Sequence, residues 1–355
     1  MKLYAPEYYK EFHCIADKCK NNCCKAGWEI DIDDATADLY SKVPDQFGKK
    51  LKQNIDFKNS NHFILDKHGI CPFLNDRNLC EIYIHLGADS LCQICTDHPR
   101  YYEWFGDTKE CGIGLCCEEA ARIILSQNKP FTTYEIEVPA ETTDEYDRNL
   151  YFYLHKSRSK IISYINNETT ALNSGIRNIL WYAYTIQQNI DSDLLDDEDI
   201  FEVSSNSGSS IKPILEFFLA LEPNNDTWIT YLKDCINLYD NSFKEITDFE
   251  KNNTQINKYL KNISIYFIWR YFLKGTFDGE VLSKIKLMAI SIAVLKYLFF
   301  CNWVQSHNLT LDDCIDITRR YSEEIEYSED NLLALADASY EMDIFSTENL
   351  MGLFL

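Results

Sequence analysis

Residues 14–24 read CIADKCKNNCC, four cysteines in eleven positions. Outward from there the series continues as Cys71-x8-Cys80, Cys92-x2-Cys95 and Cys111-x4-Cys116-Cys117, so eleven of the 14 cysteines precede residue 118 and only Cys235, Cys301 and Cys314 follow. This unevenness predicts a molecule in two parts, the first organised by its cysteines. Within the first 125 residues short apolar pieces alternate with Cys, Asp, Asn and Gly. Helical periodicity is sustained there only over Asp33–Tyr40 and Glu118–Leu125, each opening on acidic residues that suit a helix N-terminus.

Beyond residue 125 the pattern changes. The stretch KPFTTYEIEVPAETTDEYD, 129–147, reads as extended or irregular, which makes 126–145 a linker. Apolar residues then recur at helical spacing over Arg148–Asn166, Ala171–Ile190, Ile211–Leu221, Trp228–Leu238, Gln255–Leu273, Val281–Phe300, Leu311–Glu326 and Asp330–Met342, with serine-rich 203–210 as one separator. No fixed-period repeat is present, so a solenoid is not expected. The apolar run Leu287–Phe300 is too short for a membrane span and contains Lys296, which predicts a buried core helix. The expected fold is mainly α: an irregular, cysteine-rich, metal-binding region (1–125) packed on a C-terminal multi-helix domain (146–355).

Composition agrees. Of 355 residues 46% are hydrophobic and 14% aromatic, with 12 Gly and 8 Pro, against both disorder and a turn-rich all-β chain. Thirty-four basic and 56 acidic residues leave a net charge of −22, so nucleic acid meets repulsion and is not an expected partner, nor is a membrane. Residues 1–125 hold 15 basic and 20 acidic side chains, and the remainder carries −17. Such a surface keeps the chain in solution and attracts a cationic, lysine-bearing partner. The N-terminus, MKLYAPEYYKEFHCIADKCK, shows no signal-peptide pattern, so a cytoplasmic location is expected, where thiols stay reduced and a dense array binds metal rather than forming disulfides.

A soft metal or an iron–sulfur cluster needs about four thiolates arriving from short, adaptable segments, and spacings of two to four residues meet that need. Zinc and iron use the same ligands, and spacing does not choose between them. Adjacent side chains diverge, so in Cys23-Cys24 and Cys116-Cys117 one thiol ligates while its neighbour packs. His13, His62, His68, His85 and His98 are further possible donors, with His98, before Pro99, expected to orient a loop. The three late cysteines lie on apolar helices and are expected in the core.

The segment CPFLNDRNLCEIY (Cys71–Tyr83), followed by LCQICTDHPRYY, resembles the cysteine-cluster proteins with zinc- or iron-chelating domains. Through Cys14, Cys19, Cys23-Cys24-Lys-Ala-Gly-Trp, CPFL, LCxxC, the PR pair and CCEEAAR, residues 3–125 are similar more narrowly to the flagellin lysine-N-methylase family. That resemblance implies methyl transfer from S-adenosylmethionine to lysine ε-amines on flagellin. It also implies an iron–sulfur cluster of the 4Fe-4S kind, with zinc as the alternative, held among Cys14, Cys19, Cys23, Cys24, Cys71, Cys80, Cys92, Cys95 and Cys117. Cys111 and Cys116 look like additions in this chain.

The chemistry sets its own demands. Methyl transfer needs a neutral amine, yet free lysine has a pKa of about 10.4, so a site must lower it by apolar burial and must also hold a sulfonium cation. Aromatic faces suit both tasks at ~0.5–2 kcal/mol per contact, which makes Tyr101, Tyr102 and Trp104, with Phe105, the candidate donor-binding run; the same rings equally suit a cover for the metal site. Gly112-Ile-Gly114 is only a fragment of a nucleotide loop, and Ala26 stands where a Cys-x3-Cys-x2-Cys loop needs its third cysteine. No motif marks a catalytic base. The rival expectation is a non-catalytic zinc- or iron-binding, redox-sensing protein whose helical part docks a partner, which saturable binding of S-adenosylmethionine would count against.

Overall fold

Asp147 starts the first long helix: its carboxylate accepts hydrogen bonds from the backbone N–H groups of Asn149 (2.8 Å) and Leu150 (3.0 Å), two donors that the helix itself leaves unpaired. The helix then runs over Arg148–Asn166, the span its periodicity predicts. The structure, a computed structural model, describes residues 1–25, 27–58, 60–141, 145–204, 207–242 and 245–355. Ala26, residues 142–144 of the expected linker and 205–206 of the serine-rich separator lie outside the described residues.

The helices, in chain order, are α1 (Asp34–Lys42), α2 (Gln46–Gln53), α3 (Glu81–Leu86), α4 (Gln93–Asp97), α5 (Glu118–Ser126), α6 (Arg148–Asn166), α7 (Leu172–Asp191), α8 (Lys212–Phe218), α9 (Asp226–Ser242), α10 (Ile246–Asn252), α11 (Ile256–Tyr271), α12 (Gly275–Asp278), α13 (Val281–Ser306), α14 (Leu311–Ile325), α15 (Glu329–Glu341) and α16 (Thr347–Gly352). Every helix expected from periodicity is present, and α13 continues past Phe300 to Ser306. The chain is mainly α. Helix α13 is long and apolar enough to cross a membrane, but most of it is buried at the centre of the helical part, where α7, α11, α14 and α15 pack around it.

The strands are β1 (Lys2–Pro6), β2 (Ile55–Asp56), β3 (His62–Phe63), β4 (Arg100–Phe105), β5 (Thr108–Ile113) and β6 (Thr133–Glu137). Four of them form a mixed sheet in the order β4-β5-β1-β6, with β1 parallel to β5 and antiparallel to β6; β2 and β3 form a separate two-residue ladder. The sheet was not expected. It includes the aromatic run RYYEWF as β4 and, as β6, part of the segment read as a linker. In β4 strand alternation is masked because aromatic and charged residues occur on both faces, and β6 is a five-residue, mostly exposed edge strand whose own pattern is too short to stand out.

Two buried clusters result. The larger joins Tyr8, Phe12, Phe105, Ile113, Leu115 and α5 to the helices from α6 onward. The smaller gathers Ile30, Ile32, Tyr40, Phe47, Leu51, Phe63, Phe73, Ile82 and Cys92, with Trp28 and several other cysteines packed against it. The small core thus occupies the chain between β1 and β4, and residues on either side of it belong to the large one.

Candidate functional site: a thiol array between two cores

Short turns bring the cysteines in. Cys71 N–H donates to the carbonyl of Cys24 (2.9 Å), tying the first knot to the second. The side chain of Asn75 accepts from Arg77 N–H (2.9 Å) and Leu79 N–H (3.1 Å), closing the turn that returns the chain to Cys80. Cys80, Cys92 and Cys117 then occupy the N-cap positions of α3, α4 and α5. Burial raises the thiols of Cys80 and Cys117 above the ordinary range, offset in part by the backbone N–H groups of Tyr83 and Ile82 at the first and of Ala120 and Glu119 at the second.

Electrostatics show which sulfurs are neighbours. Burial pushes the Cys71 thiol up to about 11, reinforced by Cys80, Cys92 and Cys23. A hydrogen bond from Cys24 holds Cys23 below the ordinary thiol range and Cys24 above it; Cys95 and Cys92 form a second pair in which Cys92 is the lowered member. Cys24 feels Cys95 and Cys71, and Cys95 feels Cys71 and Cys80. Burial lifts Cys19 to about 12 and Cys117 to about 11; Cys19 also feels Cys117 and Cys23, and Cys117 feels Cys23 and Cys14. The nine cysteines Cys14, Cys19, Cys23, Cys24, Cys71, Cys80, Cys92, Cys95 and Cys117 therefore lie in one connected neighbourhood, all as free thiols. Among the described residues no three or more Cys, His, Asp or Glu side chains close tightly enough on one point to hold an ion. The donor set itself, soft sulfurs in proton-sharing pairs and at helix N-caps, fits a thiophilic metal or an iron–sulfur cluster.

The remaining candidates fall elsewhere. Cys111 is buried under Tyr9, and its carbonyl accepts from Trp269 Nε1 (3.0 Å). Cys116 is buried beside the Tyr327 hydroxyl. Cys235, Cys301 and Cys314 lie in the helical core. His85 stacks on Phe47 (4.5 Å), and His62 Nδ1 meets Ser60 O (2.8 Å). His98 precedes a cis peptide bond to Pro99 and packs between Trp28 (4.7 Å) and Tyr327 (6.5 Å), where burial lowers its pKa to about 4 and leaves it neutral.

Strand geometry separates the aromatic run, because successive β residues face opposite ways. Tyr101 and Phe105 point to the helices, Tyr101 over the Arg270 guanidinium (4.7 Å) and Phe105 on Tyr151 (5.1 Å). Tyr102 and Trp104 face the other way and both cover Lys109 Nζ (4.6 Å each), with Trp104 Nε1 donating to Glu141 (2.6 Å). The glycines of the Gly112–Gly114 fragment make room for tyrosines, not phosphate: a Cβ at Gly112 meets Tyr101 Oη at 2.3 Å, and one at Gly114 meets Tyr327 Oη at 2.5 Å. Gly112→Ala is expected to displace Tyr101 from Arg270 and destabilise the chain by about 1–3 kcal/mol, read as a lower urea midpoint.

Three features were hidden in the sequence. Arg270 on α11 sits among Tyr101, Tyr266, Tyr271 and Tyr327, paired with buried Glu326 (3.1 Å), whose Oε2 also accepts from the Tyr266 (2.8 Å) and Tyr271 (2.9 Å) hydroxyls. Leu115 N–H reaches Tyr266 Oη (3.4 Å), so this knot holds the loop leading to Cys116 and Cys117. Second, Glu118, 4% exposed at the start of α5, accepts through Oε2 from Lys20 N–H (2.9 Å), Asn21 N–H (3.2 Å) and Cys19 Sγ (3.7 Å). Third, a cleft of about 400 Å³ lies between residues 7–11, the end of α5 and α11, lined by Glu7, Tyr8, Glu11, Phe131 and Asn262, at the opposite end of α5 from Cys117. Lone charges inside apolar helical patterns give no sequence signal beyond a conflict with the face they occupy.

Residues 160–353, the helical part in which no motif was found, match the family model described as the FliB lysine N-methylase C-terminal domain. The chain is 28% identical over 128 residues to a lysine-N-methylase of Salmonella typhimurium, covering 34% of this chain and 32% of that protein. It is 30% identical, also over 128 residues, to the flagellar biosynthetic protein FliU of Salmonella muenchen, covering 34% of this chain and 75% of that one. The match thus spans about a third of the length of the lysine-N-methylase. No solved structure matches. With more than half of its length under one family model, the chain belongs to the FliB lysine N-methylase family.

Proposed function

We propose that this chain methylates lysine ε-amines of flagellin in the cytoplasm, with S-adenosylmethionine as donor and a cysteine-held iron–sulfur cluster beside the site. The observation that carries the reading is the gathering of nine thiols from four separate segments at the boundary of the two cores. Bound donor would supply an electrophilic methyl on a sulfonium sulfur, and the thiols would hold the cluster.

The chain's own residues account for the surroundings. Shared protons hold Cys23 and Cys92 toward the thiolate state that ligation requires, whereas burial holds Cys80 and Cys117 on the thiol side until a metal takes the proton's place. Of the candidate rings for the sulfonium, Tyr101 faces Arg270 and Tyr102 and Trp104 face Lys109 on the other side of β4, so one sulfonium would meet only one of these two faces, and there in place of the resident cation. The −22 net charge favours approach of a lysine-rich surface and slows it as salt rises. The test is to incubate chain purified without oxygen with S-adenosylmethionine and flagellin. Methylated lysine peptides by mass spectrometry are expected, and their absence, with the donor left unconsumed, would sink the reading.

A further inference from the structure

We propose that Glu118 is the positioning residue of the thiol array: its buried carboxylate seats the Cys19–Asn21 loop so that Cys19 and Cys23 face Cys117. The inference rests on the reading of these thiols as metal-holding, and the geometry that supports it is independent of any metal.

Residues 12–25 hold no α-helix or strand, only two three-residue 3-10 turns, so their placement depends on what they touch. Two anchors are peripheral. Lys20 Nζ reaches exposed Asp312 (3.3 Å), and Asn21 Nδ2 reaches Asp316 (3.0 Å), both on α14. Cys71 N–H holds the far end of the segment at the Cys24 carbonyl (2.9 Å), and Glu118 is the buried anchor of the Cys19–Asn21 end, taking the consecutive N–H groups of residues 20 and 21 on one oxygen while the Cys19 sulfur leans on the same atom. Its neighbour Cys117 is the N-cap of the same helix. One rigid helical turn therefore sets the distance between a thiol it carries and the loop that supplies two more. Arg122, one turn on, faces the other oxygen (3.9 Å) and is itself held by Asp312 (2.9 Å), which keeps the carboxylate from rotating away. A carboxylate suits the task because it is acceptor-only and has capacity for several donors on one oxygen. Glutamine keeps an acceptor oxygen at the same reach; alanine keeps none.

The full-length chain is purified without oxygen as parent, Glu118→Ala and Glu118→Gln, and two quantities are read: iron and acid-labile sulfide per chain, and amide hydrogen exchange of the peptide covering 18–24. In Glu118→Ala the 18–24 amides are expected to exchange about tenfold faster, with a several-fold loss of iron, whereas Glu118→Gln stays within about twofold of the parent on both. Parent-like iron and exchange in Glu118→Ala would overturn the proposal, as would equal losses in both variants, since that would make the charge and not the acceptor the operative feature. A parent without iron would defeat the cluster reading, and exchange at 18–24 would then decide the role of Glu118 alone.

Discussion

Glu110→Ala is expected to destabilise the chain by about 3–5 kcal/mol, because it leaves a buried guanidinium without its counter-charge. Glu110 on β5 is 5% exposed and Arg158 on α6 is 2% exposed; the two meet through paired hydrogen bonds, Nη1 to Oε2 at 2.7 Å and Nη2 to Oε1. Arg158 also lies on the face of Trp269 (4.3 Å) and donates to its carbonyl (3.4 Å), so it has no route to water once Glu110 is gone. The pair is the polar rivet between sheet and helices. Replacing both partners, Glu110→Leu with Arg158→Met, is expected to recover most of the loss, because an apolar pair of similar volume avoids the desolvation that the ions incur. Urea unfolding of the two single variants and the double variant checks this. A double variant as unstable as Glu110→Ala would mean that packing, not the stranded charge, sets the effect.

The second large effect concerns metal. Cys92→Ala is expected to strip iron and sulfide from the chain and to loosen the small core, since binding energy at such sites is also folding energy. Cys92 is fully buried, caps α4 and shares a proton with Cys95. Cys301→Ala is the matched control: it is equally buried, but its sulfur faces the Cys235 carbonyl (3.9 Å) in the helical core. It is expected to keep the parent's metal content and any methyl transfer. Metal lost from Cys301→Ala and kept by Cys92→Ala would show that the array is not where the metal binds.

The helices were legible in the sequence where an apolar stripe ran for several turns, as in α6, α7, α11 and α14, because burial of one face alone decides such segments. The short α3, α4, α10 and α16 were not, since five to seven residues do not fill a stripe and are made helical by neighbours. The sheet escaped for a different reason: the RYYEWF run is aromatic and charged on both faces, and each face found a cover, the helices on one side and Lys109 with Glu141 on the other. At the site, the cysteines were legible as a set through their spacing and family pattern. Glu118, Arg270 and Glu326 were not, because a charged residue on a helix reads as solvated unless its partner, 97 positions away for Asn21 and Glu118, is already known.

The place of the small core in the chain also bears on the order of folding. Strand β1 pairs in parallel with β5, Lys2 with Thr108 and Tyr4 with Glu110, so closing the sheet means closing a loop of roughly a hundred residues. Nearly all of that loop is the segment containing the small core and eight of the nine thiols, Cys117 lying beyond β5. If the segment condenses first, its ends meet as the two ends of a short link. Each halving of the effective loop recovers about 0.6 kcal/mol of closure entropy, so a tenfold shortening is worth about 2 kcal/mol to the β1–β5 pairing. Gathering the thiols would then act as a clasp, speeding assembly of a sheet whose strands carry none of the nine sulfurs concerned.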